Sequence, residues 1–310
     1  MAGENLIYDY ALKVEVKDGV AGADTGFLRM PLVVVRPKDG FTQTGQVITA
    51  LKTTIADITD NPNVVKIFDG GCPRILVIAT NTLESLKDIY EDHLNDFYTL
   101  IISRDFEDAE IKEYLDVGNF KGVVFHSTDT AKNAADTAKM KLRGAYYQDE
   151  GNMFYAWGKF LSAIDWNNLQ YQELINDDGV INAAEAENLF ADRVSFSLKD
   201  SQSVNRLAFF SQGGEAIIAP YVIKEIELKL QSETVNWINL NNPQYTNVDC
   251  SILAQYLQGK VVNDYIGRRL ITEGSVEITT ENGSNFIAAG KITIPKPTAL
   301  WRIKANLYNA

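Results

Sequence analysis

The stretch Arg74–Thr80, with the sequence RILVIAT, holds five consecutive apolar residues between two polar ones. Leu32–Val35, Phe97–Ile102 and Gly122–Phe125 have a similar apolar character. A strand that is apolar on both faces lies in a covered sheet, and such strands separated by helices are typical of parallel sheets. These stretches predict an α/β fold with a mostly parallel sheet and helices on both faces.

The segments between and after these strands predict the rest of this body. Helical spacing of apolar residues predicts six helices: Val47–Ile58, Thr82–Asp92, Phe106–Val117, Asp129–Leu142, Met153–Ile164 and Ala183–Phe190. Val64–Phe68 and Arg193–Leu198 are predicted as further strands, and Asp69-Gly70-Gly71 as a turn.

The last hundred residues change character and predict a second, α+β domain. Ile217–Gln231 is apolar at first and then alternates in polarity, as a strand does. Ser251–Ile271 has the apolar stripe of a long helix, which Asp249 or Ser251 would cap. Ser275–Thr280 and Asn285–Ile294 follow as two strands around an Asn-Gly turn.

Both ends of the chain are predicted to form single strands, each separated in sequence from the other predicted elements. The N-terminal strand, Leu6–Lys17, precedes a Gly-containing linker, and the C-terminal one, Ala299–Tyr308, follows Pro295-Lys296-Pro297. Their alternating apolar residues are Tyr8, Tyr10, Leu12, Val14 and Val16 at one end and Trp301, Ile303, Ala305 and Leu307 at the other. A lone strand is unstable until it joins a sheet, so these arms either return to the chain's own sheet or add to that of a neighbour.

These predictions divide the chain into four parts. They are an N-terminal arm and linker (1–30), an outer α/β body (31–200), an inner α+β domain (201–297) and a C-terminal arm (298–310).

Composition excludes several classes of protein. The chain has 310 residues and a net charge of −12, which opposes nucleic-acid binding. No run of 18 apolar residues exists, and the first residues lack the apolar core of a secretory signal. Two cysteines and two histidines leave little material for a disulfide scaffold, a zinc site or a His-based triad.

The negative charge is concentrated in the first two thirds of the chain. Residues 1–200 hold 19 basic and 32 acidic residues, whereas residues 201–310 hold 10 and 9. One interpretation is solubility. The other is that the near-neutral part packs against something while the acidic part faces solvent.

Few residues suggest catalysis or ligand binding. Ser103 and His126 stand at predicted strand ends, where α/β folds place their ligand sites, and His126-Ser127 with Asp129 invites comparison with a catalytic triad. Residues this close in sequence rarely form a triad, and a helix-capping cluster is the alternative. Asn176–Glu185 resembles half a calcium loop but has Leu174 at its first position. We expect no cofactor and no metal.

The order of elements resembles that of the sheath proteins of contractile phage tails and related injection machines. The stretches that carry this resemblance are Phe68–Ala79, Asp96–Ile102, Trp157–Tyr171, Gly267–Ile271 and Gly290–Pro297. The resemblance spans most of the chain, although this chain is short and has no room for the extra outer domains of larger sheaths.

The resemblance implies a structural subunit without enzymatic activity. Sheath subunits stack in rings around a tail tube, their terminal arms add as strands to neighbouring subunits, and contraction drives the tube through the host envelope. The implied partners are other copies of the chain, the tail tube protein, and baseplate and tail terminator proteins, with no nucleic acid and no membrane insertion. The implied location is the virion tail, assembled in the host cytoplasm.

Two further expectations complete the sequence-based interpretation. The polar side of the helix at Ser251–Ile271 carries Lys260, Asp264, Arg268 and Arg269, which we predict to face the tube. The alternative function is an α/β enzyme or small-ligand binding protein with its site near Ser103 and His126.

Overall fold

The computed structural model of the chain describes residues 26–293 with gaps. The positions left undescribed within this range are 85, 87–91, 94–95, 108, 112–121, 128–142, 148–149, 164–165, 167–172, 175–182, 193, 200–201, 210, 213–214, 217, 245 and 281–287. Both predicted arms, and most of the helices predicted at Thr82–Asp92, Phe106–Val117 and Asp129–Leu142, lie outside the described residues.

The first of two compact units begins at Gly26 and ends at Ile217, and it is built on a six-stranded sheet. The strands are β1 (Pro31–Val35), β2 (Val47–Ala50), β3 (Ile75–Ala79), β4 (Thr99–Ile102), β5 (Gly122–Ser127) and β6 (Arg143–Tyr147). Their spatial order is β2-β3-β1-β4-β5-β6. All neighbours pair in parallel except β2, which runs antiparallel along the outer side of β3. The prediction of an α/β fold with a mostly parallel sheet is confirmed.

The central strand β1 sets the layout of this sheet. Every residue of β1 is buried, and its backbone pairs with β3 on one side and with β4 on the other. The chain passes from β1 to β3 in one direction and crosses back to place β4 on the opposite side. In doubly wound sheets the carboxyl ends of strands at such a reversal border the usual ligand crevice.

The predicted helix Val47–Ile58 is wrong. Its first four residues form β2, and Ile55–Asp57 forms a single 3₁₀ turn. The β-branched Val47, Ile48 and Thr49 favour an extended backbone, and pairing with β3 stabilises it. Leu51, which lies between the two elements, is 49% exposed, whereas Ile55 and Ile58 are buried, so the residues of the apparent helical stripe do not share one buried face.

The predicted strand Val64–Phe68 is also wrong. Pro62–Val65 is a 3₁₀ turn that continues into a short helix, α1 (Lys66–Asp69). The Asn61 side chain accepts a hydrogen bond from the Asn63 N–H, and Pro62 occupies the first position, where a helix needs no N–H donor. The turn predicted at Asp69-Gly70-Gly71 is confirmed, with Gly71 at a φ of +117°.

The remaining elements of this unit include two further helices. The helix α2 (Glu150–Ser162) carries the buried Trp157 and Phe160, and α3 (Ala183–Ala191) follows. The shorter strands β7 (Phe196–Lys199) and β8 (Asn205–Phe209) form one antiparallel pair, and β9 (Ser211–Gln212) and β10 (Glu215–Ala216) form another.

The second unit begins at Ile218 with a long helix, α4 (Ile218–Asn241). The strand-like alternation at Ile217–Gln231 is therefore misleading. Alternation covers only a few residues, whereas buried positions recur about every fourth residue from Val222 through Ile226, Leu230 and Thr234 to Trp237.

The predicted helix Ser251–Ile271 is three consecutive segments. These are α5 (Asn247–Leu257), a π-helical turn (Gln258–Val262) and α6 (Asn263–Gly267). The predicted caps are wrong, because Thr246 is the N-cap. Its hydroxyl accepts from the Asp249 N–H, and the Asp249 carboxylate accepts from the Thr246 N–H in return.

Two antiparallel strands follow, β11 (Ser275–Thr280) and β12 (Ala288–Thr293), as the sequence predicts. The Asn-Gly turn between them lies outside the described residues. The two compact units of the structure divide in sequence between Ile217 and Ile218. The domain boundary at residue 200 remains a prediction.

Two glycines allow α1 and α2 to touch backbone to backbone. A Cβ on Gly158 would overlap the carbonyl oxygen of Ile67, and a Cβ on Gly70 would overlap the carbonyl oxygen of Tyr155. The Ser162 hydroxyl donates to the Gly70 carbonyl at 3.2 Å across the same contact. Main-chain atoms cannot rotate out of the way, so this contact tolerates no side chain.

We expect Gly158→Ala to lower the free energy of unfolding by about 1–3 kcal/mol, the usual cost of an overpacked interior. Gly259→Ala is the matched control, because nothing lies within 4 Å of the added Cβ and alanine favours a helix. Urea denaturation followed by circular dichroism measures both. Equal midpoints for Gly158→Ala and the wild type would contradict the close contact.

Candidate functional site

One guanidinium occupies the crevice at the carboxyl ends of β1, β3 and β4. Arg36, directly after β1, donates to the Asn81 carbonyl beyond β3 and to the Asp105 carbonyl beyond β4. It also pairs with Glu110 at 3.4 Å, and its guanidinium carbon lies 4.3 Å from the centre of the Phe106 ring. The place where this fold class binds ligands is therefore spanned by the chain's own side chain.

The carboxylate of Glu150 lies beside this crevice and is fully buried. It accepts from the Arg104 N–H at 2.6 Å, from the Asn63 amide at 3.0 Å and from the Asn61 amide at 3.1 Å. The Arg104 guanidinium adds an ion pair at 3.6 Å. A carboxylate surrounded by donors in this way holds loops together and has no free lone pair directed at a substrate.

Ser103, one of the two predicted ligand-site residues, belongs to the same network. Its side chain is buried and donates to Asp105 at 2.7 Å, and Asp105 accepts in turn from the Asn61 amide at 3.3 Å. His126 lies in β5, two strands from β1, with its backbone paired to Tyr146. The structure thus places Ser103 in a structural network at the strand ends.

Other chemical hypotheses from the sequence have little support in this unit. Asp129 and most of Asn176–Glu185 lie outside the described residues, and Glu185 lies in α3. Among the described residues, no group of three ligating side chains is placed to hold a metal ion. Asp69 pairs with Lys52 at 2.5 Å, which lowers the pKa of its carboxyl.

A charged cluster in the second unit ties α4 to α6. Tyr265 is fully buried, and burial together with the nearby carboxylate of Glu225 raises the pKa of its phenol. The Arg268 guanidinium lies over one part of this ring at 4.8 Å and pairs with Asp264 at 3.6 Å. Lys229 of α4 lies 5.1 Å from the same ring.

The four residues predicted to face a tube fall into two groups. Arg268 and Asp264 pair within the cluster, and only 25% of the Arg268 side chain is exposed. Lys260 and Arg269 are exposed. Sequence reasoning found this polar side but missed that Arg268 packs against its own unit.

Arg269 terminates α6 in an unusual conformation for its residue type. Its φ is +60°, and the N–H groups of Arg269 and Leu270 bond to the carbonyls of Ile266 and Tyr265. This is a Schellman motif, in which glycine is the common residue at the left-handed position. An arginine there costs about 1 kcal/mol relative to glycine. The sequence interpretation, which ended the helix at Ile271, missed this terminus.

Gln258, which the sequence analysis also missed, joins the helices to the hairpin. Its side-chain oxygen accepts from the Val276 N–H at 3.0 Å, and its amide nitrogen donates to the Gly274 carbonyl at 3.1 Å and to Asn263 at 2.9 Å. It is the first residue of the π-helical turn, a feature that is frequent at functional positions.

No protein-family model matches the sequence, and no curated protein matches it. Comparison of structures gives matches over nearly the whole chain. A chain of the 6-fold symmetrised baseplate of the anti-feeding prophage has a TM-score of 0.63 at 9% identity, covering 97% of this chain and 99% of that one.

Two sheath structures are similar to the same extent. The helical sheath of the anti-feeding prophage in its contracted state gives a TM-score of 0.61 at 10% identity, over 97% of this chain and 98% of that one. The contracted sheath complex of an extracellular contractile injection system, PVC, gives 0.62 at 10% identity, over 97% of both chains. The resemblance to contractile sheath proteins is confirmed at the level of the fold.

No helix in the part of the chain that the structure describes is long and apolar enough to cross a membrane.

We expect Glu150→Ala to lower the free energy of unfolding by about 1–3 kcal/mol, because it removes the buried acceptor that Asn61, Asn63 and Arg104 share. Glu84→Ala, at an exposed carboxylate, is the control and should change stability little. Thermal unfolding measures both. Removal of a catalytic carboxylate commonly raises stability, so a stabilised Glu150→Ala protein would favour the enzyme hypothesis.

Proposed function

We propose that the chain is a subunit of a contractile sheath, which assembles with other copies of itself into rings around a tail tube and has no enzymatic activity. The observation that carries this proposal is the similarity of fold over 97% of the chain to chains of sheath and baseplate assemblies. Fold alone does not assign a function, so the proposal also depends on what the described residues can do.

The first support is the state of the crevice at the strand ends. Arg36 spans it, and the carboxylates of Glu150 and Asp105 are held by the chain's own donors. A substrate would have to displace these bonds before it met any reactive group. This arrangement favours a rigid structural body over the alternative enzyme or ligand-binding protein.

The second support is the hairpin of β11 and β12. Among the described residues these two strands pair only with each other, and a two-stranded sheet is marginal in water. The arms predicted at 6–17 and 299–308 would supply further strands, because apolar and polar residues alternate in both. In the proposed assembly the arms of one copy extend the hairpin sheet of another, and this exchange links the rings while contraction rearranges them.

The third support is the outward side of α5 and α6. Val248 and Ile252 lie one turn apart on α5 and are 67% and 49% exposed, although both are apolar. Lys260 and Arg269, further along these segments, are exposed and positively charged. We propose this side as the contact with the tube, with individual ion pairs weak enough to break on contraction.

The proposed partners follow from this arrangement: other copies of the chain, the tube protein, and baseplate and terminator proteins. The acidic part of the chain, 31–200, would face solvent, where its charges need screening when rings approach each other. The particle would be a phage tail or a related injection machine, assembled in the cytoplasm of its host.

Negative-stain microscopy of the purified chain tests the proposal most directly. A sheath subunit is expected to form rings, tubes or polysheath, whereas an enzyme or ligand-binding protein gives discrete particles. Discrete particles at all concentrations, with and without tube protein, would contradict the proposal.

Deletion of residues 298–310, or of residues 1–17, is expected to give a folded subunit that does not polymerise, because each deletion removes an exchanged strand. Each arm contributes several backbone hydrogen bonds of roughly 0.5–1.5 kcal/mol net, and burial of Trp301 adds roughly 1.5–3 kcal/mol. Circular dichroism and microscopy read out folding and assembly separately. Unfolding of either truncation would assign that arm to the chain's own sheet, and assembly of both would contradict strand exchange.

Arg269→Gly is expected to stabilise the subunit and weaken its contact with the tube. Glycine relieves the left-handed strain by roughly 1 kcal/mol, while the charge is lost. Urea denaturation of the subunit and assembly with co-expressed tube protein measure the two effects. Arg269→Lys, which keeps both the charge and the strain, is the control. An Arg269→Gly protein that assembles on tubes as well as the wild type would remove Arg269 from the tube contact.

A further inference from the structure

The amide of Gln258 occupies the outer edge of β11 in the way a neighbouring strand would. It accepts from the Val276 N–H and donates to the Gly274 carbonyl, the two groups that flank Ser275. One residue of a parallel neighbouring strand makes this same pair of bonds. Since paired strands lie about 4.8 Å apart, the side chain fills the position where the backbone of an added strand would run.

These bonds also show which groups of the hairpin point outward. Because the Val276 N–H faces Gln258, the alternating groups of Ser275 and Glu277 face β12, where they lie opposite Thr293 and Lys291. The backbone groups of Ala288, Gly290 and Ile292 then point away from β11. Among the described residues no strand pairs with this second edge.

The two edges therefore differ in the length they offer. With Gln258 in place, β11 can accept a strand only beyond Val276, along the four residues Glu277–Thr280. Along all six residues of β12, no strand among the described residues pairs with the outer edge. The alternation of the C-terminal arm runs from Trp301 to Leu307, which matches the longer edge.

In the proposed assembly, the arm that pairs with this edge belongs to another copy of the chain. In the sequence the arm follows β12 after Pro295-Lys296-Pro297. Proline fixes φ and restrains the residue before it to extended conformations, so this segment favours an extended path over a tight turn back onto its own β12. Each copy then offers its own β12 edge to the arm of a neighbour.

We propose that Gln258 selects the edge for strand exchange: it closes the edge of β11 and directs the C-terminal arm of a second copy to the edge of β12. This inference rests on the proposed function, because it concerns the sheet that strand exchange would extend. Gln258 acts as a positioning residue, which blocks one edge and does not itself contact the arm.

Cysteine cross-linking between two kinds of subunit tests the inference. One subunit carries Arg302→Cys, Lys304→Cys or Asn306→Cys in its arm, and the other carries Glu277→Cys on β11 or Lys291→Cys on β12. The arm positions lie on its polar side, and the two acceptor positions are opposite each other in the hairpin. The native Cys72 and Cys250 are buried, and burial raises the pKa of the Cys72 thiol to about 12, so neither competes.

In assembled material we expect intermolecular cross-links to position 291 to exceed those to position 277 by roughly tenfold, the ratio that corresponds to about two backbone hydrogen bonds. Gln258→Ala removes both the hydrogen bonds and the bulk of the side chain, so it opens the edge of β11 and should raise cross-linking to position 277 several-fold. Gln255→Ala, at an exposed residue less than one turn earlier on α5, is the matched control and should leave the pattern unchanged.

Gln258→Glu serves as a second variant if the alanine variant does not fold. It keeps the acceptor for Val276 and loses the donor to Gly274, so cross-linking to position 277 should rise by less than an open edge would give. Equal or stronger cross-linking to position 277 in the wild-type background would overturn the edge assignment while leaving strand exchange intact. A further variant carries both the arm cysteine and the Lys291→Cys substitution in one chain. If it cross-links only within itself, or if the two kinds of subunit assemble without any cross-link between them, strand exchange and the edge assignment are overturned together.

Discussion

The ends of three parallel strands are joined by a single guanidinium. Arg36 follows the buried strand β1, and its donors reach segments beyond β3 and β4 while its plane lies on Phe106. In a doubly wound sheet these strand ends would otherwise leave a crevice lined by unpaired backbone groups. The bonds of Arg36 satisfy these groups and connect loops that lie far apart in sequence. The same arrangement is extended by Glu150, Asp105, Asn61 and Asn63. The crevice at the carboxyl ends of the strands is therefore occupied by the chain's own side chains.

The strongest sequence signals were the apolar runs of β1, β3 and β4, because a strand buried on both faces needs no information from its neighbours to be recognised. Predictions from short periodic patterns were less secure. At Val47–Ile58 the β-branched residues and the pairing with β3 favoured a strand over the helix that the apolar spacing predicted. At Ile217–Gln231 a few alternating residues predicted a strand, although the buried residues follow a helical period that continues to Trp237. Local periodicity fails where a neighbouring element decides which face is buried.

The functional residues were only partly accessible from sequence. Ser103 was recognised because polar residues directly after buried strands tend to gather at one edge. Asn61, Asn63 and Glu150 were missed, because they come from a cap, a turn and a helix start that only the folded chain brings together. Gln258 has no distinctive sequence signal at all. Its role depends on a π-helical turn and on a strand that begins 17 residues later, at Ser275.

The composition of β12 has a consequence for the kinetics of assembly. An open strand edge is a general hazard, since any extended peptide can pair with it and start indiscriminate aggregation. Within β12, Gly290 weakens the strand and Lys291 places a charge in it, and both features disfavour nonspecific pairing with other extended peptides. In the proposed assembly, a subunit at low concentration would therefore remain dispersed until many weak pairings form at once. Polymerisation of the purified chain would show a lag that disappears when preformed ends are added, because elongation from an existing end is then faster than spontaneous initiation.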